Sequence, residues 1–414
     1  MPIVREFARL TVEPTPPSLD HATIAPSAFH WLAEHGSGGP SSPGIVRLED
    51  PRTLRVLNYV GVVETPCGTQ IEILPKYTQS GDEIEGARRL LVSMVMEALR
   101  LKPRHGAMSE ISAFQLPLPE WLASRFLQEA SDLIHRGLRQ SYQRVQAREP
   151  LLRGALDVVR QIRSGPASAH LLSFQHDIFT FDRPENRLLR SAIELILRST
   201  RVSNNWRLAR ELSTTMADIP ETTDLRTDLR RWSKDRLMAD YSTIRTLCEL
   251  ILLGRTPFAI SGAHRGLSML LPMERLFELY VLASLRKAAP SSMEIRAQLG
   301  DRHLCEHEGD VWFRLRPDMM VSDGARSWIL DTKWKLLSSN RARQYELSQS
   351  DFYQLFAYGQ KYLGGAGDLF LVYPRTETFF EPLAPFHFSP QLRLHVLPFD
   401  LLRREAPYPF LPCK

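Results

Sequence analysis

Three residues late in the chain have the types and spacing of a site that cleaves phosphodiesters. Pro317-Asp318 is followed, after twelve intervening residues, by Asp331-Thr332-Lys333. Two carboxylates can hold Mg²⁺, or Mn²⁺ in its place, because such an ion binds through one or two carboxylates while keeping waters and a phosphate oxygen. The bound ion lowers the pKa of a water and stabilises charge on the phosphate. A lysine beside it can orient that water or offset the charge that develops in the transition state. The chemistry requires that both acids and the amine converge.

A hairpin supplies that convergence. Val311–Lys335 reads as two extended runs around Ser322-Asp323-Gly324-Ala325, and Asp-Gly is the strongest short hairpin turn signal. A two-residue turn at Asp323-Gly324 sets Ser322 against Ala325, Asp318 against Ile329 and Arg316 against Asp331. Side chains alternate between faces, so Asp318, Asp331 and Lys333 share one face. The two acids become diagonal neighbours about 7–8 Å apart. Trp328, Leu330, Thr332 and Trp334 take the other face and suit packing.

Two helices flank the hairpin. Glu278 lies in PMERLFELYVLASL, at the edge of a helix that is apolar nearly all round, which is the mark of burial. Gln354 and Tyr358 in DFYQLFAY are four apart and share a helix face, where they could contact a DNA backbone or support Lys333. The bland readings are a hairpin with a solvated polar face, a surface glutamate, and a helix packed through Phe352, Leu355 and Phe356. His303, Cys305 and His307 would share a strand face, yet no fourth zinc ligand is evident, so an ordinary strand is the better reading.

The order helix-Glu278, Pro-Asp318, Asp331-x-Lys333, Gln354-x3-Tyr358 resembles the PD-(D/E)xK nuclease superfamily, over about Pro272–Pro374. Outside that core, Gly61–Lys76 (notably Ile71–Lys76, IEILPK), Phe181–Arg190 (FDRPENRLLR) and Met273–Tyr280 (MERLFELY) resemble motifs of the McrC family. The resemblance implies the nuclease subunit of a McrBC-type system that restricts DNA carrying modified cytosine, such as 5-methylcytosine, in antiphage defence. It implies a hexameric McrB-like AAA+ GTPase as partner, which carries the modification-reading domain. The N-terminal part of this chain would insert into that ring and stimulate GTP hydrolysis. It further implies metal binding by Glu278, Asp318 and Asp331, catalysis by these three with Lys333, and supporting or DNA-contacting roles for Lys335, Gln354 and Tyr358. This chain has no G-x4-G-K-[ST] segment, so it is expected to bind no nucleotide itself. The run Gly364-Gly365-Ala366-Gly367 lacks the lysine.

Composition sets the outer bounds. The 414 residues suggest two or three domains, and 43% apolar with 24% charged residues are ordinary globular values. The net charge of +5 permits a polyanion partner without demonstrating one. Cys67, Cys248, Cys305 and Cys413 are scattered, which argues against a disulfide framework. No signal-peptide or membrane-spanning pattern is present, so a cytoplasmic protein is expected.

The expected fold class is α+β and multi-domain. A β-rich then helical region spans 1–150, a mainly helical region 151–265, and a nuclease domain with a mixed sheet flanked by helices 266–414. Two other functions remain open: a non-catalytic adaptor of an AAA+ motor, and a stand-alone DNA repair or processing nuclease.

Overall fold

The computed structural model describes residues 1–38, 44–76, 84–101, 116–164, 170–233, 235–253 and 269–411. It is a mixed α/β protein with several sheets. The chain divides into two compact units, Met1–Leu118 with Met269–Lys414, and Pro119–Ser268. This grouping differs from the serial order 1–150, 151–265 and 266–414, because the first hundred residues join the last.

The join has a visible cause. The strand Met269–Pro272 pairs antiparallel with Tyr59–Glu64, which pairs in turn with Gln70–Leu74, and Ile3–Arg5 closes that sheet in parallel. Gly61 permits the approach: its φ is +124°, and a Cβ there would lie 2.1 Å from the Met269 carbonyl oxygen. The helix Met273–Ala288 starts directly after this strand, with Met273 N donating to Asn58 O at 3.1 Å. A second sheet holds His21–Thr23, Arg9–Thr11, Thr53–Val56 and Val46–Asp50. The run Ile3–Val12 is therefore two short strands rather than one, broken where Phe7 takes φ +64°.

The C-terminal part of this unit is built on a six-stranded mixed sheet. Its order is Glu294–Ala297, Met319–Ser322, Ser327–Thr332, Gly367–Pro374, Leu392–Phe399 and Phe386–His387. The three central strands run parallel and are buried nearly throughout, as sheets covered on both faces are. The helix Gln349–Tyr362 covers one face through Leu355 and Tyr358, which pack with Ile329, Leu369, Leu371 and Leu394. Trp328 and Trp334 are buried, against Phe410 and Phe277 respectively, so they belong to the core as expected.

The second unit carries the helices Pro184–Ser199, Ser203–Thr215, Leu225–Arg231 and Ser242–Leu253. It also carries strands. Ser141–Glu149 pairs antiparallel with Leu172–Thr180, and Ala155–Leu156 adds to the latter's other edge. The helical part expected within 1–150 therefore stops at Arg136, and pairing with 172–180 makes Ser141–Glu149 a strand. The glycine-rich stretch 254–268, read as a boundary, lies outside the described residues, as does Cys413.

Candidate active site

The hairpin that carries the acids forms, with a different turn. Ser322 pairs with Ser327, Val321 with Trp328, Met320 with Ile329 and Met319 with Leu330. The loop is Asp323–Arg326, two residues longer than the expected Asp323-Gly324 turn. Asp323 accounts for this, since its Oδ1 accepts from Ala325 N at 2.9 Å and Arg326 N at 2.7 Å, an Asx-type closure of the wider loop. A slip of one residue would have inverted the faces, whereas a slip of two preserves them. Continuing the pairing sets Asp318 directly opposite Asp331 rather than diagonal to it.

The two acids are held differently. Asp318 Oδ2 accepts from Thr332 N and Thr332 Oγ1, each at 2.7 Å, and its carbonyl accepts from Gln298 N at 2.8 Å. Asp331 is 2% exposed. Its Oδ2 lies 2.8 Å from Lys333 Nζ as an ion pair, short of a directed hydrogen bond, so that buried oxygen takes no hydrogen bond at all. Glu278 is also buried. Its Oε1 pairs with Arg275 Nη1 at 2.5 Å and accepts from Gln298 Nε2 at 3.2 Å.

Burial, then the charges of Asp331 and Glu278, push the Asp318 carboxyl up to about 7. Burial also raises Asp331, against the pull of Lys333. Burial opposes the charge of Lys333, but the neighbouring charges of Asp331 and Asp351 outweigh that and raise the amine, so it stays cationic at neutral pH.

The helix Gln349–Tyr362 holds Lys333 in place. Lys333 Nζ donates to Gln354 Oε1 at 3.0 Å, Gln354 Nε2 donates to Tyr358 Oη at 2.6 Å, and Tyr358 Oη donates to the Arg316 carbonyl at 3.0 Å. Gln354 and Tyr358 thus tie Lys333 to the strand that delivers Asp318. Lys335 stands apart: its amine donates to the Glu346 carbonyl, and none of its hydrogen bonds is to the acids.

Sequence reading missed three participants. Asp351 lies 3.7 Å from Lys333 Nζ and accepts from Tyr373 Oη at 3.3 Å; its position three before Gln354 on the helix was the available signal. Thr332 is the residue between Asp331 and Lys333. Gln298 gave no signal, because it reaches both Glu278 and Asp318 only through a left-handed backbone at φ +50°.

These residues fit a hard divalent cation. Buried carboxylates that repel one another, one with an oxygen lacking hydrogen bonds, are stabilised by a cation between them. Among the described residues no three His, Cys, Asp or Glu side chains form a ready-made metal cage. Glu278, Asp318 and Asp331 are therefore not gathered as a three-carboxylate set, and an ion at the two aspartates would need water and substrate phosphate to complete its shell. The His303, Cys305 and His307 strand forms no such cage either.

A family model described as McrBC 5-methylcytosine restriction system component matches residues 54–374. The chain belongs to that family. Among solved structures, a chain in a refined half-complex from a tetradecameric assembly of Thermococcus gammatolerans McrB AAA+ hexamers with bound McrC is similar. The TM-score is 0.67 at 18% identity, covering 98% of this chain and 96% of that one. A chain of the Thermococcus gammatolerans McrBC complex matches with a TM-score of 0.51 at 19% identity, over 69% of this chain and 87% of that one. Both likenesses are of fold. No curated protein matches.

The McrBC span takes in every motif singled out above, and much of it is internal to the fold. Ile71, Ile73 and Leu74 are core, Glu72 pairs with Arg88 at 2.5 Å, and Lys76 N donates to Glu6 Oε1 at 3.0 Å. In Phe181–Arg190, the fully buried Asn186 donates to the carbonyls of Arg139 and Phe181 and accepts from Tyr241 Oη at 3.0 Å. Those motifs lock structure, whereas Glu278, Asp318, Asp331 and Lys333 leave carboxylate oxygens open.

Proposed function

We propose that this chain is the Mg²⁺-dependent DNA endonuclease component of a GTP-dependent restriction complex, with Mn²⁺ able to replace Mg²⁺. The six-stranded sheet and its helices are then a PD-(D/E)xK-type nuclease core, and the substrate is duplex DNA carrying modified cytosine. The observation that carries this reading is Asp318, just before the strand Met319–Ser322, held by Thr332 beside Asp331 of the neighbouring strand, with Lys333 Nζ 2.8 Å from Asp331.

Asp318 and Asp331 would hold the ion, with Glu278 completing or steadying the set. When bound, the ion supplies a polarised phosphate and a water that ionises near neutral pH. Lys333, cationic and aimed by Gln354, donates to the attacking water or to a phosphate oxygen as charge builds there. Such preorganised donors stabilise the transition state without reorganising during the reaction. Tyr358 keeps the amine and the Asp318 strand in register.

The partner is a McrB-like AAA+ GTPase hexamer, in keeping with the assemblies that the similar structures describe. This chain lacks a P-loop, so the partner binds the nucleotide. The second unit offers a surface for it. Tyr142 and Phe179 pair at 4.9 Å on the long hairpin, and both are exposed, as are Leu151, Val159 and Ile162. Exposed apolar side chains of this kind suit a protein interface.

Cleavage of methylated and unmethylated duplex, with and without the cognate GTPase and GTP, tests the whole reading. The expected result is Mg²⁺- and GTP-dependent cutting of methylated DNA, lost in Asp331→Asn while stimulation of GTP hydrolysis persists. Stimulation by the unaltered chain without cutting would make it an adaptor, and cutting without partner or GTP would make it a stand-alone nuclease.

A further inference from the structure

Beside Asp318 lies a cleft of about 190 Å³, lined by Gln298, Leu299, Gly300, Arg314, Arg316 and Pro317 as well as Asp318 itself. Two arginines line it, and neither has an ion-pair partner among the described residues. Arg314 donates through Nε to the Gly300 carbonyl, which leaves its two terminal nitrogens without a protein acceptor. Arg316 is exposed, and only its backbone carbonyl is engaged, by Tyr358.

The glycine is part of the construction. A Cβ on Gly300 would lie 2.6 Å from Arg314 Nε, 2.7 Å from Nη2 and 2.8 Å from the guanidinium carbon. Those distances are too short for any side chain. The Arg314 guanidinium therefore lies flat on the Gly300 backbone, fixed by one hydrogen bond and facing the cleft with the rest. A planar cation with free donors is the group that matches phosphate oxygens, in pairs where geometry allows. Two such exposed cations without carboxylate partners stand next to the half-buried Asp318, so their donors are free for an anion.

We infer that Arg314, Arg316 and Gln298 form a phosphate subsite, which grips the DNA backbone at a phosphodiester flanking the one cut at Asp318 and Asp331. The inference rests on the nuclease reading and extends it by naming what fixes the strand's position. Arg314 and Arg316 anchor the backbone without entering the chemical step. A phosphate contact carries no sequence information, so the grip is indifferent to base identity.

The test is cleavage of a methylated duplex by the full chain with its GTPase partner, at rising KCl. The double variant Arg314→Ala/Arg316→Ala should raise KM about tenfold or more and change kcat less than about threefold. Each lost phosphate contact should lower the slope of log KM against log salt by about 0.9. Gly300→Ala, which keeps both charges but displaces the guanidinium, should shift KM the same way by less. Arg326→Ala, an exposed arginine that does not line the cleft, should leave KM and slope unchanged. Wild-type KM and slope in the double variant would overturn the subsite, as would a loss confined to kcat. Because the nuclease reading is judged separately by Asp331→Asn, either idea can fail alone. Should the double variant not fold, Arg316→Gln and Gly300→Ala carry the same test.

Discussion

Two places in the first unit bury carboxylates, and they do so in opposite ways. Glu6 is fully buried, and its oxygens accept from Trp334 Nε1 at 2.9 and 3.1 Å and from Lys76 N at 3.0 Å. Asp331 is buried beside the half-buried Asp318, and Asp331 Oδ2 takes no hydrogen bond. Burial drives the pKa of both Glu6 and Asp318 upward, to about 8 and about 7 respectively. A raised pKa therefore does not separate them. What separates them is satisfaction: donors close off Glu6, while the aspartates keep open oxygens and a neighbouring like charge. The first pattern joins an N-terminal segment to the loop after the strand that carries Asp331. The second leaves room for a ligand.

The sharpest break in the comparison is expected from Asp331→Asn. Cleavage should fall by at least about a hundredfold, while the melting temperature changes little, because the charge removed both repels Asp318 and pairs with Lys333. A melting temperature lowered in step with activity would place Asp331 with Glu6 as a structural acid.

Glu6→Ala should do the reverse. It strands the indole N–H of Trp334 and the amide of Lys76, and should lower stability by about 2–3 kcal/mol with kcat nearly unchanged in material that remains folded, read by chemical denaturation and single-turnover cleavage. The pH dependence has a definite sign. The folded pKa of Glu6, about 8, exceeds the ordinary glutamate value of 4.5, so its contribution is full below 4.5 and is lost as pH rises through about 8. Glu6→Gln should flatten that decline, and denaturant melts across this range check it.

Gln354→Ala comes next in size. Lys333 loses its acceptor and Tyr358 its donor, and kcat should fall about tenfold with KM little changed. The smallest effect concerns Asp318. Its ionised form is the one that can hold a cation, so the Mg²⁺ concentration for half-maximal cleavage should rise as pH falls below about 7. A midpoint independent of pH would show that Asp318 does not take part in ion binding.

Much of the site was legible because strand alternation is robust. The face shared by Asp318, Asp331 and Lys333 survived a wrong turn length, since an error of two residues does not change parity. The helix pair Gln354 and Tyr358 was legible for the same kind of reason, as periodicity fixes which residues meet. The turn itself was not, because Asp323 chose between two local closures by side-chain hydrogen bonds that spacing does not encode. Gln298, Arg314 and Gly300 were not legible either. Their meeting depends on a positive-φ loop and on the two-stranded hairpin Arg302–His307 with Asp310–Leu315, which are tertiary facts. The same holds for the strand Met269–Pro272, whose partner lies some two hundred residues earlier.

Direct metal titration tests the central contrast best. Mn²⁺ binding to the full chain would be followed by electron paramagnetic resonance for the unaltered protein, Asp331→Asn and Glu6→Gln. The expected result is a bound population in the unaltered protein and in Glu6→Gln, absent from Asp331→Asn. Undiminished Mn²⁺ binding in Asp331→Asn would contradict the assignment of the open aspartate pair as the metal-binding and catalytic centre.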